Sequence, residues 1–438
     1  MIVHSETCYT LHTAHTSYQM SVGPDGMLLH TYYGPRLPDD APDLTDRREA
    51  HGDPGCWTDL LPKEWSAPGT ADNRTPPCVP EYADGTEAAE LVFAGAAVLP
   101  GKPALPGLPA FRGGADVQTL SVTLRDVFGL EVELRYSVYE KEDLITRTAV
   151  YKNAGSQPLT LHKAASLCMD YAPGSLDLIT LNGTWAAERT PERAPLRCGL
   201  QSVGSIRGVP GHAHNPAIAL CRPDTTETNG DCWGFAFVYS GNFLIEAERA
   251  DAGQRLVMGI HPYHFHWTLA PGESFAAPEV AMVYAQHGLG EMSRRFHTAI
   301  RTRLLAPRWQ DMNAPRPVLL NSWEACYFDF DEAKLLDLAA AAKKAGPDAS
   351  ALGAAWMIAA PDGSEAAVFA VGDALSGSHG TASMNSLPRL PLQGLDPAAV
   401  YEDEQGAQYT GAQLMTLGLP LPGPRGQTPA CIWYLHRV

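Results

Sequence analysis

Several residues in this chain have the types and spacing that chemistry requires. His212 and His214 in HAHNP, and His261, His264 and His266 in GIHPYHFHW, include H-x-H pairs, which on a strand put both imidazoles on one face, as metal ligation needs. No third ligand of the right type is fixed by spacing, so no metal site is assigned. Glu324, Asp329 and Asp331 are carboxylates that acid/base catalysis would use. Helix capping accounts for two of them: Asp329 and Glu332 have the spacing of a capping box, and Asp331 adds negative charge at the positive end of a helix dipole. A single strand end also cannot hold two carboxylates at a fixed separation. Trp323 stands at a strand end, where an indole either stacks on the apolar face of a sugar or fills a core. Serine and cysteine nucleophile elbows and phosphate loops are missing from the sequence.

These residues depend on the elements that carry them. Arg316 to Gly346 reads as one strand, Pro317 to Leu320, followed by one alanine-rich helix. Leu335, Leu336, Leu338, Ala339 and Ala342 form the helix's apolar face, and Lys343, Lys344 and Gly346 close it. It is the one clear β-then-α step in the chain. Residues 1 to 285 read differently, as short alternating runs broken by turns: Tyr9 to Val22, Met27 to Tyr33, Thr119 to Leu124, Gly129 to Tyr139, Ile145 to Tyr151, Leu159 to Ala165, Trp233 to Tyr239, Phe243 to Glu246 and Val280 to Tyr284. That pattern predicts a large antiparallel β-sandwich. Residues 34 to 80 and 189 to 216 read as long loops, the kind that carry function or pack on a partner. Glu291 to Leu305 reads as a helix, with Met292, Phe296, Ala299, Ile300 and Leu304 on one face. Residues 347 to 353 read as a linker, and strands return from Ala354 to Val438 as a small β-sandwich.

Composition narrows the function classes. The 32 basic against 49 acidic residues give a formal charge of −17, which repels nucleic acid and anionic membrane and suits a neutral ligand. The 9 cysteines are dispersed without a C-x-x-C pair, which argues for a reducing compartment. The first residues lack the charged and apolar regions of a signal peptide, and no apolar run reaches the roughly 18 residues of a membrane span. The expected location is cytoplasmic.

Several blocks resemble the microbial α-galactosidases of glycoside hydrolase family 36. They include YTLHTAHTSYQMSV, LLPKEW with GTADNR, GKPALPGLPAF, GLEVELRYSVYEKEDLITRTAVYKN, GLQSVGSIRGVPGHAHNPAIAL, NSWEACYFDFDEAKLLDLA and, near the end, YTGAQLMTLGLPLP. The resemblance implies a mainly β chain in five parts: an N-terminal β-supersandwich (1–285), a helical linker (286–315), the first βα unit of a (β/α)8 barrel (316–346), a linker (347–353) and a C-terminal β-sandwich (354–438). It implies α-galactosides such as melibiose and raffinose as substrates, cleaved with retention, without cofactor or metal. It also implies sugar contact by Asp72 in GTADNR, with Trp65 and Arg74 as neighbours, and by Trp323. Asn73 and Thr75 depart from the family's usual aromatic and acidic residues at their positions.

The barrel is short of residues. A closed (β/α)8 barrel takes about 250 residues, and only about 45 lie between the helix and the C-terminal strands. The expectation is therefore a chain with no catalytic residue of its own, inactive alone. The alternative is a galactoside-binding or assembly subunit, homo-oligomeric or paired with an intact paralogue, that supplies Asp72 in trans. The βα unit is expected to lack its covering neighbours.

Overall fold

The computed structural model describes residues 1–44, 57–69, 71–171, 174–250, 253–307, 310, 321–345, 355–359, 365–371, 389–390, 392, 394–417, 419–420 and 430–438. The strand read at Pro317 to Leu320 and the linker at 347–353 lie outside them. The chain divides into two units, Met1–Asp311 and Met312–Val438.

Antiparallel sheets build the first unit. Ile2–His4, Cys8–His12, Thr16–Val22 and Leu28–Pro35 form a meander in chain order. A second sheet runs Gly199–Ser205, Phe243–Ala250, Gly253–Ile260, Leu159–Tyr171 and Trp267–Leu269, with Cys78–Tyr82 also paired to Leu159–Tyr171. The largest runs Ala187–Pro195, Asp177–Thr184, His214–Cys221, Cys232–Val238, Glu279–Ala285, Leu144–Asn153, Leu130–Tyr139, Val117–Arg125 and Val92–Pro100.

Alternation in the sequence explains these strands. Leu120, Val122 and Leu124 on one strand, and Leu130, Val132, Leu134 and Tyr136 on the next, turn into one core with Leu161, Leu167, Phe235, Phe243 and Met282. Burying each large apolar side chain is worth about 1.5–3 kcal/mol. A core of this extent offsets the cost of the charges sealed inside it.

The helix Gly288–Ala299 continues as a π-helical turn, Ile300–Leu304. Its Met292, Phe296 and Ile300 pack with Phe111, Tyr139, Ala281 and Val283, so it lies on the outer side of the largest sheet. The helix starts at glycine for a steric reason. Gly288 has φ 81°, and a Cβ there would stand 2.4 Å from the Thr226 carbonyl oxygen.

The stretch 189–216 is not a loop. It holds the strands Ala187–Pro195 and Gly199–Ser205 and enters a third at His214. Its prolines and charges conceal them: Ala187–Pro195 contains Pro191 and Pro195 and is an edge strand, the place where proline's missing N–H is tolerated.

The second unit opens with the short helix Trp323–Cys326 and the helix Glu332–Ala345. Asp331, not Asp329, caps the latter. The Lys334 backbone N–H donates to Asp331 Oδ1 at 2.8 Å, and Asp329 instead pairs with Lys334 Nζ at 2.9 Å. The physical reason is where the first turn begins: with Glu332 as the first helical residue, the capping position falls on Asp331. A five-stranded sheet follows, in the order Ala355–Ala359, Glu365–Val371, Ala430–Arg437, Val400–Asp403 and Gln408–Thr410. Leu392, Leu395, Tyr401, Leu414 and Leu435 form its small core. The helix Gly411–Thr416 carries a full capping box between Thr410 and Gln413.

Candidate functional site

The described residues 57–69 and 71–75 belong to the 34–80 stretch on which sequence reasoning placed Trp65, Asp72 and Arg74. They are stitched to the strand Leu28–Pro35: the His30 N–H donates to the Pro62 carbonyl at 2.8 Å and the Glu64 N–H to the Leu28 carbonyl at 2.9 Å. This pairing drives Lys63, Glu64 and Trp65 inward, where each is at most 4% exposed.

Asp72 lies at the centre of an ion cluster. Its Oδ1 takes Arg74 Nε at 2.9 Å, and its Oδ2 takes Lys63 Nζ at 3.1 Å and Arg255 Nη2 at 2.9 Å. The Ser66 hydroxyl donates to the same Oδ2 at 3.0 Å. Asp170 completes the group, receiving Arg74 Nη1 at 2.9 Å and Arg255 Nε at 2.7 Å. Two carboxylates thus hold three cations. Burial alone would raise the Asp72 carboxyl, but the Arg74 hydrogen bond and the charges of Arg255, Arg74 and Lys63 outweigh it and hold it far below the usual carboxylate range. Burial dominates at Lys63 and pulls its ammonium below the usual lysine value, with Asp72 opposing in part.

Glu64 anchors a second group. Arg147 Nη1 lies 2.5 Å from its Oε1, the hydroxyls of Tyr18 and Tyr136 each donate to Oε1 at 2.6 Å, and His30 Nδ1 is 3.1 Å from Oε2. Trp65 belongs with this group, its ring 5.6 Å from the Arg147 guanidinium carbon.

The fold therefore brings Asp72 and Arg74 into direct contact and places the Trp65 indole in the core beside Arg147. All three are buried. Trp323 belongs to the second unit, where it is 44% exposed and packs edge-on against Tyr327 and Phe328 at 5.4 and 4.9 Å between centroids. Asp329 and Asp331 are exposed and engaged in capping and pairing. His214 Nδ1 is 3.1 Å from Asn182 Oδ1, and the Tyr263 N–H donates to His261 Nδ1 at 3.0 Å. Among the described residues no three histidine, cysteine or carboxylate side chains converge to hold a metal.

Sequence reasoning missed Lys63, Glu64, Arg147, Asp170 and Arg255. The available signal was a lone charge inside an apolar strand: Arg147 in LITRTAV, Asp170 in SLCMDY and Arg255 in QRLVMG. Such a charge is sealed in and must find a partner.

Family matches cover this β-sandwich unit, the helices that follow it and the second β unit. Residues 26–270 match the glycosyl hydrolase family 36 N-terminal domain, residues 274–368 match Melibiase, and residues 353–435 match the family 36 C-terminal domain. The chain belongs to glycosyl hydrolase family 36. It is 41% identical over 361 residues to the bifunctional alpha-galactosidase/sucrose kinase AgaSK of Mediterraneibacter gnavus, covering 80% of this chain and 38% of that one. It is 37% identical over 365 residues to alpha-galactosidase AgaA of Geobacillus stearothermophilus, covering 80% of this chain and 49% of that one. The chain spans half or less of the length of these relatives. In fold it is similar to the galactosidase domain of AgaSK, with a TM-score of 0.71 at 24% identity over 100% of both chains. It is likewise similar to AgaA solved in complex with raffinose, with a TM-score of 0.69 at 23% identity.

Proposed function

We propose that this chain descends from retaining α-galactosidases of the raffinose and melibiose type and that, by itself, it does not hydrolyse them. One observation carries the reading. About 50 residues separate Leu304, the end of the first unit's helix, from Ala355, the first described strand of the second unit, against about 250 for a (β/α)8 barrel. A retaining mechanism needs a nucleophile and an acid/base carboxyl about 5 Å apart across the sugar. In this reading the described residues of the segment offer exposed Asp329, Asp331, Glu332 and Asp337, of which the first two are spent on pairing and capping. The test is turnover of a nitrophenyl α-galactoside by the purified chain. None is expected, and a rate above about 1 per second, within the range of ordinary enzymes, overturns the proposal.

A second reading is a galactoside-binding or assembly subunit that pairs with an intact family member. The exposed apolar stretch of the second unit favours it, with Tyr327 61%, Phe328 84% and Leu336 61% exposed. Of the four residues assigned to sugar contact, Trp323 is the one that offers an open face. Asp72, Arg74 and Trp65 serve such a contact only if the loop lifts from its cluster. Co-purification with a full-length relative supports this reading, and a strictly monomeric chain in a mixture with that relative defeats it. The cytoplasmic location and the division into five parts stand with this proposal.

A further inference from the structure

Asp170, the far member of the ion cluster, also borders a cleft of about 410 Å³ in the first unit. The cleft lies among the strands Leu28–Pro35, Leu159–Tyr171, Cys232–Val238 and Glu279–Ala285, and Tyr32, Tyr33, Tyr171, Trp233 and Tyr284 form the aromatic part of its walls. Trp233 stands 5.7 Å from Tyr171 at a steep angle and 5.5 Å from Tyr284. The Trp233 N–H donates to the Tyr33 carbonyl at 2.9 Å, which fixes the indole in place. Tyr32 and Tyr171 are half-buried and present ring surface to the cleft.

Its polar groups are incompletely used. Asp231 Oδ1 accepts from the Tyr284 hydroxyl at 2.6 Å, and its Oδ2 has no partner among the described residues. The Arg222 guanidinium lies 5.7 Å over the Trp233 ring and pairs with no carboxylate among the described residues. The Tyr171 hydroxyl is buried and has no hydrogen-bond partner there either. That hydroxyl is sealed in the core and does not open on the cleft, so a ligand's polar contacts fall to Asp231 Oδ2 and the Arg222 guanidinium.

The mixture of groups selects the ligand. An anion would meet Asp231, a cation would meet Arg222, and a purely apolar molecule would leave the free oxygen of Asp231 desolvated without a partner. A pyranose has one face of C–H groups for the tyrosine rings and a rim of hydroxyls that both donate to a carboxylate and accept from a guanidinium. The volume falls at the low end of the roughly 300–1,000 Å³ of small-ligand sites, which suits one or two sugar rings. We propose that this cleft is a binding site for a neutral pyranose saccharide. It stands apart from the hydrolysis question, because none of its residues lies in the segment 312–345.

Isothermal titration of the full chain with galactose, melibiose, raffinose and maltose tests it. At least one of them binds saturably, with Kd on the order of 1 mM, the range of a few hydrogen bonds and one stacked face. Arg222→Ala and Asp231→Asn each weaken that binding about tenfold, the loss of one charged hydrogen bond, with unchanged melting temperature. Tyr32→Ala removes ring surface from the cleft wall and one exposed hydrogen bond to the Pro35 carbonyl, so it folds as the parent does and weakens binding severalfold. It decides the matter if another variant fails to fold. Trp323→Ala leaves binding unaltered. Absence of saturable binding to all four sugars overturns the proposal, as does binding that survives Arg222→Ala, Asp231→Asn and Tyr32→Ala intact. Binding lost only in Trp323→Ala also overturns it and moves the sugar to the second unit.

Discussion

Arg147 Nη1 lies 2.5 Å from Glu64 Oε1, and neither side chain is exposed to solvent. Taking each charge out of water costs several kcal/mol, which mutual attraction offsets only when the remaining lone pairs and protons are also engaged. Here they largely are. Tyr18, Tyr136 and His30 complete the carboxylate, and the guanidinium also donates to the carbonyls of Cys168 at 2.7 Å and Glu64 at 2.9 Å. The pair ties the loop around Glu64 to two strands of the sandwich, so it holds the loop's position.

Arg147→Met leaves Glu64 buried without its cation. The expected loss is about 3–5 kcal/mol of unfolding free energy, read from urea denaturation midpoints. The double variant Arg147→Met with Glu64→Leu recovers part of it, since no bare charge remains. A single variant as stable as the parent would show that the pair contributes nothing to holding the loop.

Acid weakens the same fold in a predictable direction. Burial pushes the Glu64 carboxyl up, but Arg147 and the His30 and Tyr136 hydrogen bonds prevail and leave it below its ordinary value; Asp72 is likewise lowered. A carboxyl with a depressed folded-state pKa binds its proton more readily when unfolded. Its stabilising contribution is therefore complete above the unfolded value of about 4 and is lost as pH falls below it. Urea midpoints between pH 6 and 2.5 should decline across that window in the parent and less steeply in Glu64→Gln. Parallel curves for the two proteins would remove Glu64 as the cause.

The Asp72 cluster holds one more cation than anion, and the two ways of changing that balance have opposite consequences. Lys63→Met leaves Arg74 and Arg255 against Asp72 and Asp170, removes a buried ammonium that desolvation already disfavours, and keeps the volume. Stability should hold within about 1 kcal/mol or rise. Asp72→Asn leaves three cations facing one carboxylate and should cost about 3–5 kcal/mol. Melting temperatures measured by calorimetry distinguish these outcomes; a larger loss in Lys63→Met than in Asp72→Asn contradicts this account of the cluster.

What the sequence disclosed follows from what each residue type signals. Thr119 to Leu124 and Gly129 to Tyr139 read as strands because apolar and polar residues alternate along them; the structure extends the first to Val117–Arg125 and begins the second one residue later, at Leu130–Tyr139. Leu159 to Ala165 proved to be only half of a strand that reaches Tyr171, because Cys168 and Asp170 break the alternation without breaking the strand. Ala187–Pro195 was hidden by its prolines and exposed charges, which are marks of an edge as well as of a loop. The buried ions were least legible: Glu64 and Arg147 lie 83 positions apart, and no local pattern announces a partner at that distance. Asp72 was found through resemblance, and its burial only through coordinates.

The second unit carries the last consequence. Trp323 meets Tyr327 and Phe328 edge-on while the three remain 44%, 61% and 84% exposed, and Phe330 and Leu336 are 50% and 61% exposed close by in sequence. Exposed large apolar side chains of this kind favour association. Phe328→Ser combined with Leu336→Lys removes two side chains that bury little, so it should change unfolding free energy by no more than about 0.5 kcal/mol. It should also lower the apparent mass seen by sedimentation velocity at high protein concentration. If the parent stays monomeric throughout, or if the double variant unfolds far more easily, these residues are covered in solution and the stretch is not the adhesive surface described.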